Sequence, residues 1–437
     1  MASVSVGRHD DCRMDVRAGW PASLILALLV FAESAQGALP TIAWPLQIVR
    51  PPGAHPANSV PTQVVTGVQR DGIDPSHARF GADVEIRAGR LWIGSPGYSS
   101  GEAGSGAVWL HVPPGWGGEP VEQPLLPLAP LPGTGFGAAI AVEAFSSAYV
   151  AVVSKPAFPA AGGMRLGFYD AVSPDLWGME TTLPDIGTVW DVDVALANTT
   201  IAVTRYASGG AEVLIYEPIF FPQQLVLKQT IALPTGLVWP PAGYGRNVEL
   251  YTDKYRYQWL VAGPRVYRRW GDEDFAPTGT LTVPTTSWYD FGIITRYLDT
   301  LVVSGAIDFP VIGFRFQFDS DGSWSGGYPM ADLNGYPYVD GCLALALFEE
   351  QFVCLVVGAN GPEILLATPQ PEGGWKVIGT ARVPGPASGW NSPFSMAMWG
   401  NYVIVGWPET GDENGIVDAG QVVVMVLHDG VFASGFD

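Results

Sequence analysis

Three features of the sequence predict an all-β fold, and within it a seven-bladed β-propeller of three- to four-stranded blades, the ring closed by an N-terminal strand. The first is composition: 54 Gly and 38 Pro fall between short apolar runs, which makes turns frequent and long helices rare. The second is an aromatic content of 12%, including 16 Trp, which suits half-buried pleated surfaces. The third is recurrence. Units of three or four β-runs begin near residues 80, 136, 190, 244, 289, 341 and 392. Their mean spacing of roughly 52 residues is close to that of propeller blades.

The units run as follows. Unit one opens at Phe80-Gly81, alternates through Val84 and Ile86, and closes its second run on Gly94-Ser95-Pro96, with Gly106 to Leu110 as a third run. Unit two opens at Phe136-Gly137 and closes its second run, Tyr149 to Val153, on Ser154-Lys155-Pro156. Unit three opens at Trp190-Asp191, with later runs at Ala211 to Tyr216 and Leu225 to Leu233. Unit four opens at Tyr244-Gly245 and continues through Trp259 to Pro264 and Gly279 to Val283. Unit five is looser, near Tyr289-Asp290, followed by Leu301 to Ala306. Unit six opens near Gly341-Cys342, with runs through Leu355 to Ala359 and Trp375 to Val383. Unit seven opens near Ser392-Pro393, runs through Val403 to Pro408, and ends its third run at Val426-Leu427. It lacks a fourth run, which the patch Pro61 to Thr66, or Thr41 to Val49, can supply. Radial stacking explains the patterning, because a lone sheet leaves one face bare whereas a blade between two neighbours buries both.

Phe80-Gly81, Gly94-Ser95-Pro96 and Gly106 to Leu110 carry a resemblance. The units resemble FG-GAP repeats, the blade motif of the integrin α-subunit propeller and of many exported bacterial proteins. The likeness covers about residues 80 to 427 and is weakest in units three and five. It implies blade architecture rather than a particular activity. The calcium-loaded form of the repeat has a D-x-D-x-D-G-type loop between its first two strands; here those connections are short, as in Arg87-Ala88-Gly89-Arg90, and do not match.

The N-terminus reads as an export signal. Arg8, Arg13 and Arg17 precede the apolar run Leu24 to Ala32, which is too short for a bilayer, and Ala35-Gln36-Gly37 offers a cleavage site. The expected organisation is a signal peptide over 1–37, a Pro-rich segment with the ring-closing strand over 38–79, the propeller over 80–430 and a short tail over 431–437. Export to the periplasm, cell surface or medium follows. No other stretch is apolar and long enough for a transmembrane segment. Residues 38–437 carry 19 Lys/Arg against 38 Asp/Glu. That excess argues against nucleic acid and anionic membranes as partners, and a monomer is expected.

Cys342 and Cys354 fall in one hairpin. With a two-residue turn at Glu349-Glu350, Cys354 faces Leu345 and Cys342 faces Val357. The two are not opposite and read as small buried residues rather than a bridge.

Candidate chemistry is sparse. Asp412, Asn414 and Asp418 lie close enough in sequence to converge on a Ca2+ ion, although a solvated acidic loop explains them more simply. Asp319-Ser320-Asp321-Gly322 lacks the later Glu of a calcium loop and reads as a turn. Gly97-Tyr98-Ser99-Ser100-Gly101 matches G-x-S-x-G, but it opens a loop between strands rather than a strand-to-helix elbow. His55, His77, His111 and His428 are widely separated. In unit four, Arg265, Arg268, Arg269 and Trp270 form a basic-aromatic cluster able to grip an anionic or sugar ligand, or simply to protect a strand edge. Two functions follow from the sequence. The first is an exported, non-catalytic binding or scaffold propeller recognising a protein or glycan partner through its loops. The alternative is a propeller-fold carbohydrate-active enzyme, a lyase or glycosidase, with its site at the central channel. An outer-membrane barrel fits less well, given the long period, the acidity and the Pro-rich connections.

Overall fold

The computed structural model describes residues 62–66, 78–87, 90–99, 102–111, 123–143, 149–156, 163–170, 177–208, 210–233, 247–281, 293–297, 300–304, 314–318, 324–329, 342–348, 351–358, 361–369, 375–383, 394–400, 402–408 and 420–426. Among them there is no helix, and so none long and apolar enough to cross a membrane. The strands form four-stranded antiparallel sheets, an arrangement consistent with a propeller.

Seven sheets are formed by the described residues. Sheet one holds Val84–Arg87, Arg90–Ser95, Ala107–His111 and Gln123–Leu125 in chain order; sheet two holds Phe136–Glu143, Tyr149–Ser154, Arg165–Asp170 and Gly178–Thr182. Sheet three is the longest, with Val189–Ala197, Thr200–Ala207, Gly210–Phe220 and Gln223–Ala232. Sheet four holds Val248–Thr252, Tyr257–Ala262, Arg265–Trp270 and Ala276–Thr280. Sheet five holds Ile293–Tyr297, Thr300–Ser304, Phe314–Phe318 and Trp324–Pro329; sheet six holds Ala344–Phe348, Gln351–Gly358, Gly361–Pro369 and Trp375–Arg382. Sheet seven departs from chain order. Ser395–Trp399, Tyr402–Trp407 and Gln421–Val426 are joined by Thr62–Thr66, which pairs antiparallel with the last of them, Val64 opposite Val423.

Second strands are buried on both pleat faces, as in Val150 to Ser154 or the whole of Thr200–Ala207, because each sheet packs between neighbours. Sheets one and two share a core around Trp92, Phe136 and Tyr169. Sheets two and three meet through Leu166, Phe168, Val194 and Val203. Sheets three and four meet through Ile215, Leu250 and Leu260. Sheets six and seven meet through Leu355, Phe394 and Trp407. Sheet seven also meets sheet one, through Ile404, Val422 and Val424 against Phe80, Val84 and Ile93.

The repeated glycines follow from this stacking. A Cβ on Gly94 would stand 2.1 Å from the Gly137 carbonyl oxygen, and one on Gly406 would stand 2.3 Å from the Gly81 oxygen. Gly137 and Gly81 themselves have φ near +90°, where other residues are strained. The Phe-Gly start of one unit is therefore pressed onto the second strand of the unit before it. The same contact recurs between sheets one and two and between sheets seven and one. Isolated bridges from Phe136 to Gly106 and from Phe80 to Gly420 repeat the equivalence.

The hairpin of sheet six has the expected register, Leu345 opposite Cys354 and Phe348 opposite Gln351. The cysteines nonetheless differ from expectation, since Cys342 and Cys354 are bridged, with Cα atoms 5.5 Å apart. The reason is local. Leu343 N donates to the Leu355 oxygen while Ala344 already stands opposite Leu355. Two residues thus face one, as in a β-bulge, and the strict alternation that would carry Cys342 to Val357 is broken. Closing a loop of this length stabilises by about 3 kcal/mol through the unfolded chain. A Cys342→Ala, Cys354→Ala double variant is expected to lose stability of that order in urea unfolding, and dithiothreitol should lower the wild-type Tm but not the variant's.

Candidate functional site

First strands meet around a cavity. Asp83, Glu85 and Arg87 of sheet one line it with Glu249 of sheet four, Thr295 of sheet five, Leu345 and Leu347 of sheet six, and Ser395 and Ala397 of sheet seven. Its volume is about 40 Å³, room for roughly three waters. Glu85 is buried and ion-paired with Arg87 at 3.0 Å.

Polar residues at the start of the first strands tie one sheet to the next. Asp83 accepts from Val84 N at 2.8 Å and, across the seam, from Ile140 N of sheet two at 2.6 Å. Asp193 repeats the pattern, accepting from Val194 N at 2.7 Å and from Asn247 N of sheet four, also at 2.7 Å. Ser395 donates to the Gly81 oxygen at 2.9 Å. Thr204 donates to Asn247 Oδ1 at 2.6 Å, and Asn247 Nδ2 donates to Asp191 at 3.3 Å.

Burial, reinforced by nearby Asp83, pushes the Asp193 carboxyl well above its usual range despite these N–H donors, and burial likewise raises Asp191, opposed by Lys155. Burial lowers the Lys155 ammonium, opposed by Asp191. A carboxyl whose folded pKa is raised contributes stability below its unfolded value, near 4, and loses it as pH rises through the folded value. The stability deficit of Asp193→Asn in urea should therefore be largest at pH 4 and shrink towards pH 7. A deficit that grows towards neutrality would contradict this burial effect.

The basic-aromatic cluster of sheet four divides by strand alternation. Arg269 pairs with Gln258, and both point into the seam with sheet three. Arg269 Nε donates to Gln258 Oε1 at 2.6 Å and Nη2 to Thr200 Oγ1 at 2.7 Å, while Glu217 Oε1 lies 2.7 Å away. Arg265 is exposed at the opposite end of the strand and donates to Thr280. Arg268 and Trp270 share the other face. The Arg268 guanidinium lies over the Tyr257 ring at 4.7 Å and the Trp259 ring at 5.3 Å. Trp270 packs on Tyr257 at 4.8 Å and is 47% exposed. The four residues read together in the sequence are thus brought into three environments. Asp412, Asn414 and Asp418, as well as the 319–322 turn, lie outside the described residues. Ser99 lies in the loop, its Oγ accepting from Gly104 N at 3.0 Å.

One feature escaped the sequence reading. The outer hairpin of sheet three ends in Phe220 and Phe221, the latter 94% exposed. Phe220 stacks on Trp177 of sheet two at 5.6 Å, within a cluster that includes Tyr149 and Phe168. First-to-second and third-to-fourth turns lie at the same end of an antiparallel sheet. Asn198 in such a turn of sheet three bonds Thr252 of sheet four at 2.6 Å, so the two sheets share that end. Phe221, Tyr255 and Trp270 are all exposed there. The sequence signal was Phe-Phe-Pro between two unusually long β-runs.

No family model matches the chain. No curated protein matches it either. Solved structures do: virginiamycin B lyase from Staphylococcus aureus, at 12% identity and TM-score 0.48, covers 84% of this chain and 99% of that one. A candidate 6-phosphogluconolactonase from Bacteroides uniformis matches at 13% identity and TM-score 0.47, over 77% of this chain and 96% of that one. A prolyl endopeptidase matches at 13% and 0.41, over 76% of this chain and 47% of that one. These neighbours are β-propeller-like proteins. At such identities and scores nothing of their activities passes to this chain.

Proposed function

We propose that this chain is an exported, non-catalytic binding propeller of the FG-GAP type, with seven blades closed by Thr62–Thr66, recognising a protein or glycan partner through the turns at one end. The observation that carries the binding reading is the set of solvent-facing rings at that end, with Phe221 at 94%, Tyr255 at 51% and Trp270 at 47% exposure. Large exposed rings are unfavourable in water and serve recognition when gathered on one side. The Phe-Gly contact of sheet seven with sheet one, equivalent to that of sheets one and two, supports closure. The Cys342–Cys354 bridge suits an oxidising compartment.

Asp83, Glu85 and Glu249 in the cavity favour a second reading, a glycosidase or lyase at the channel. The small cavity and the Glu85–Arg87 pair weigh against it. The test uses residues 38–437 immobilised on a sensor and exposed to a glycan panel and to candidate exported proteins. Phe221→Ser, Tyr255→Ser and Trp270→Ala are expected to remove retention while leaving Tm within about 1 °C, as exposed positions allow. Release of reducing or unsaturated ends that is lost in Glu249→Gln would overturn the binding reading in favour of the enzyme.

A further inference from the structure

The geometry points to the exposed end of sheet four, built from Tyr255, Tyr257, Arg268 and Trp270, as a binding site for a neutral β-linked pyranose chain. This rests on the binding reading above and chooses the glycan over the protein.

The site is a graded ladder. Tyr251 and Trp259 stack at 6.4 Å with their planes 10° apart, both buried, and the Trp259 indole N–H is held by Asp253 at 2.9 Å. Arg268 lies next, half-buried across Trp259 and Tyr257. Tyr257 and the exposed Trp270 complete it at the turn end. In the preceding turn, Tyr255 is exposed with Lys254 over its ring at 5.2 Å. The turn is fixed rather than loose. Asp253 Oδ1 accepts from Tyr255 N at 2.8 Å and Tyr257 N at 2.9 Å, and Arg256 takes φ +70° to close it.

Two observations select the ligand. The first concerns Arg268. Among the described residues no oxygen accepts from its guanidinium, unlike Arg269 one position on, and the ring stack holds its planar donors in place. The second is the charge around Trp270. Exposed Lys254 and Arg256 flank Tyr255 in the turn before, and the exposed Asp272, Glu273 and Asp274 follow Trp270 after Gly271. Charge of both signs packed about exposed rings is unlike the core of a protein interface, which is depleted of charge. It is equally unlike a polyanion site, where three carboxylates would repel the ligand. Sugar hydroxyls both donate and accept, so they match a mixed rim, and the C–H faces of an equatorially substituted pyranose lie flat on a ring. Cellulose-like and xylan-like chains share this chemistry.

The experiment titrates residues 38–437 by calorimetry with cellohexaose, xylohexaose and hexagalacturonate, and follows Trp and Tyr fluorescence. Binding of at least one neutral hexamer is expected, with quenching of Trp270. Trp270→Ala and Arg268→Ala should each weaken it roughly tenfold, a difference of about 1.4 kcal/mol, while Arg265→Ala, at the opposite end of the strand, should leave affinity within about twofold. Arg268→Lys should recover little, because the lost feature is the planar fork. Tight binding of hexagalacturonate alone would overturn the neutral class. Silence with every sugar, alongside a protein partner whose retention needs Phe221, would overturn the saccharide assignment and leave the binding reading standing. Silence with sugars and proteins alike would overturn both.

Discussion

Deletion of residues 38–66 is expected to lower the stability of the remaining chain by several kcal/mol and to split or broaden its thermal transition. Thr62–Thr66 is hydrogen-bonded along Gln421–Val426, whose Val422, Val423, Val424 and Met425 are almost fully buried. Removing the outer strand strips one edge of sheet seven and partly wets those four side chains. At roughly 1.5 to 3 kcal/mol for a fully buried aliphatic side chain, partial exposure of four amounts to about 5 kcal/mol. The loss should also spread. Val422 and Val424 belong to the core that sheet seven shares with sheet one, and Gly420 bridges Phe80. In stacked repeat architectures a seam distributes stability to its neighbours, so loosening sheet seven should weaken sheet one, which lies next to it in space and first in the repeat order. The stripped edge would offer unpaired N–H and C=O groups and promote association. A shorter deletion, 38–61, keeps the strand and should match the full 38–437 chain. Differential scanning calorimetry of both deletions decides the matter: an unchanged melting temperature for the 38–66 deletion would sink the closing role. Val64→Pro, at the centre of the strand, where a ring in place of an amide N–H disfavours regular pairing, should give a smaller loss in the same direction.

Much of this architecture was legible because it is dictated by backbone crowding and period. Phe80-Gly81 and Phe136-Gly137 recur because each marks a place where the start of one unit is pressed onto the sheet before it. The register of the sheet-six hairpin followed from Glu349-Glu350 and the two-residue alternation. Features that depend on breaking the alternation were not legible. The bulge at Leu343–Ala344 has no marker residue, and it breaks the alternation that would hold Cys342 opposite Val357 and away from Cys354. Asp83 and Asp193 carry no distinguishing mark in the sequence; their bonds to Ile140 and Asn247, 57 and 54 positions on, exist only once the sheets are stacked. The site was half legible. Composition singled out the sheet-four arginines, but one residue of phase separates a guanidinium locked in the seam from one stacked beside solvent, and the phase is set by pairing with Gln258 and Trp259.

That one-residue phase makes Arg269→Ala the second large effect. The residue is 6% exposed, and its guanidinium joins three partners from two sheets, Gln258 within sheet four and Thr200 and Glu217 of sheet three, with Phe275 beneath it at 4.7 Å. Truncation would leave Gln258 Oε1 and the Glu217 carboxylate without their cation in a closed seam. Breaking a buried pair on one side costs about 3 to 5 kcal/mol. The lower end is expected here, because Glu217 keeps Lys228 at 3.5 Å and some contact with water. Arg269→Lys should recover only part of the loss, since one ammonium cannot reach Gln258, Thr200 and Glu217 with the geometry of a planar fork. Arg268→Ala, one position away, should cost no more than about 1 kcal/mol, the range of a half-exposed cation–π contact. Urea unfolding of the three variants tests the contrast, and an Arg269→Ala variant within 1 kcal/mol of wild type would refute it. The outcome also governs how binding data are read. Arg269 holds the seam from which the sheet-four turns project, so a loss of ligand in Arg269→Ala accompanied by a loss of stability reports the scaffold. A loss in Arg268→Ala at unchanged stability reports the site.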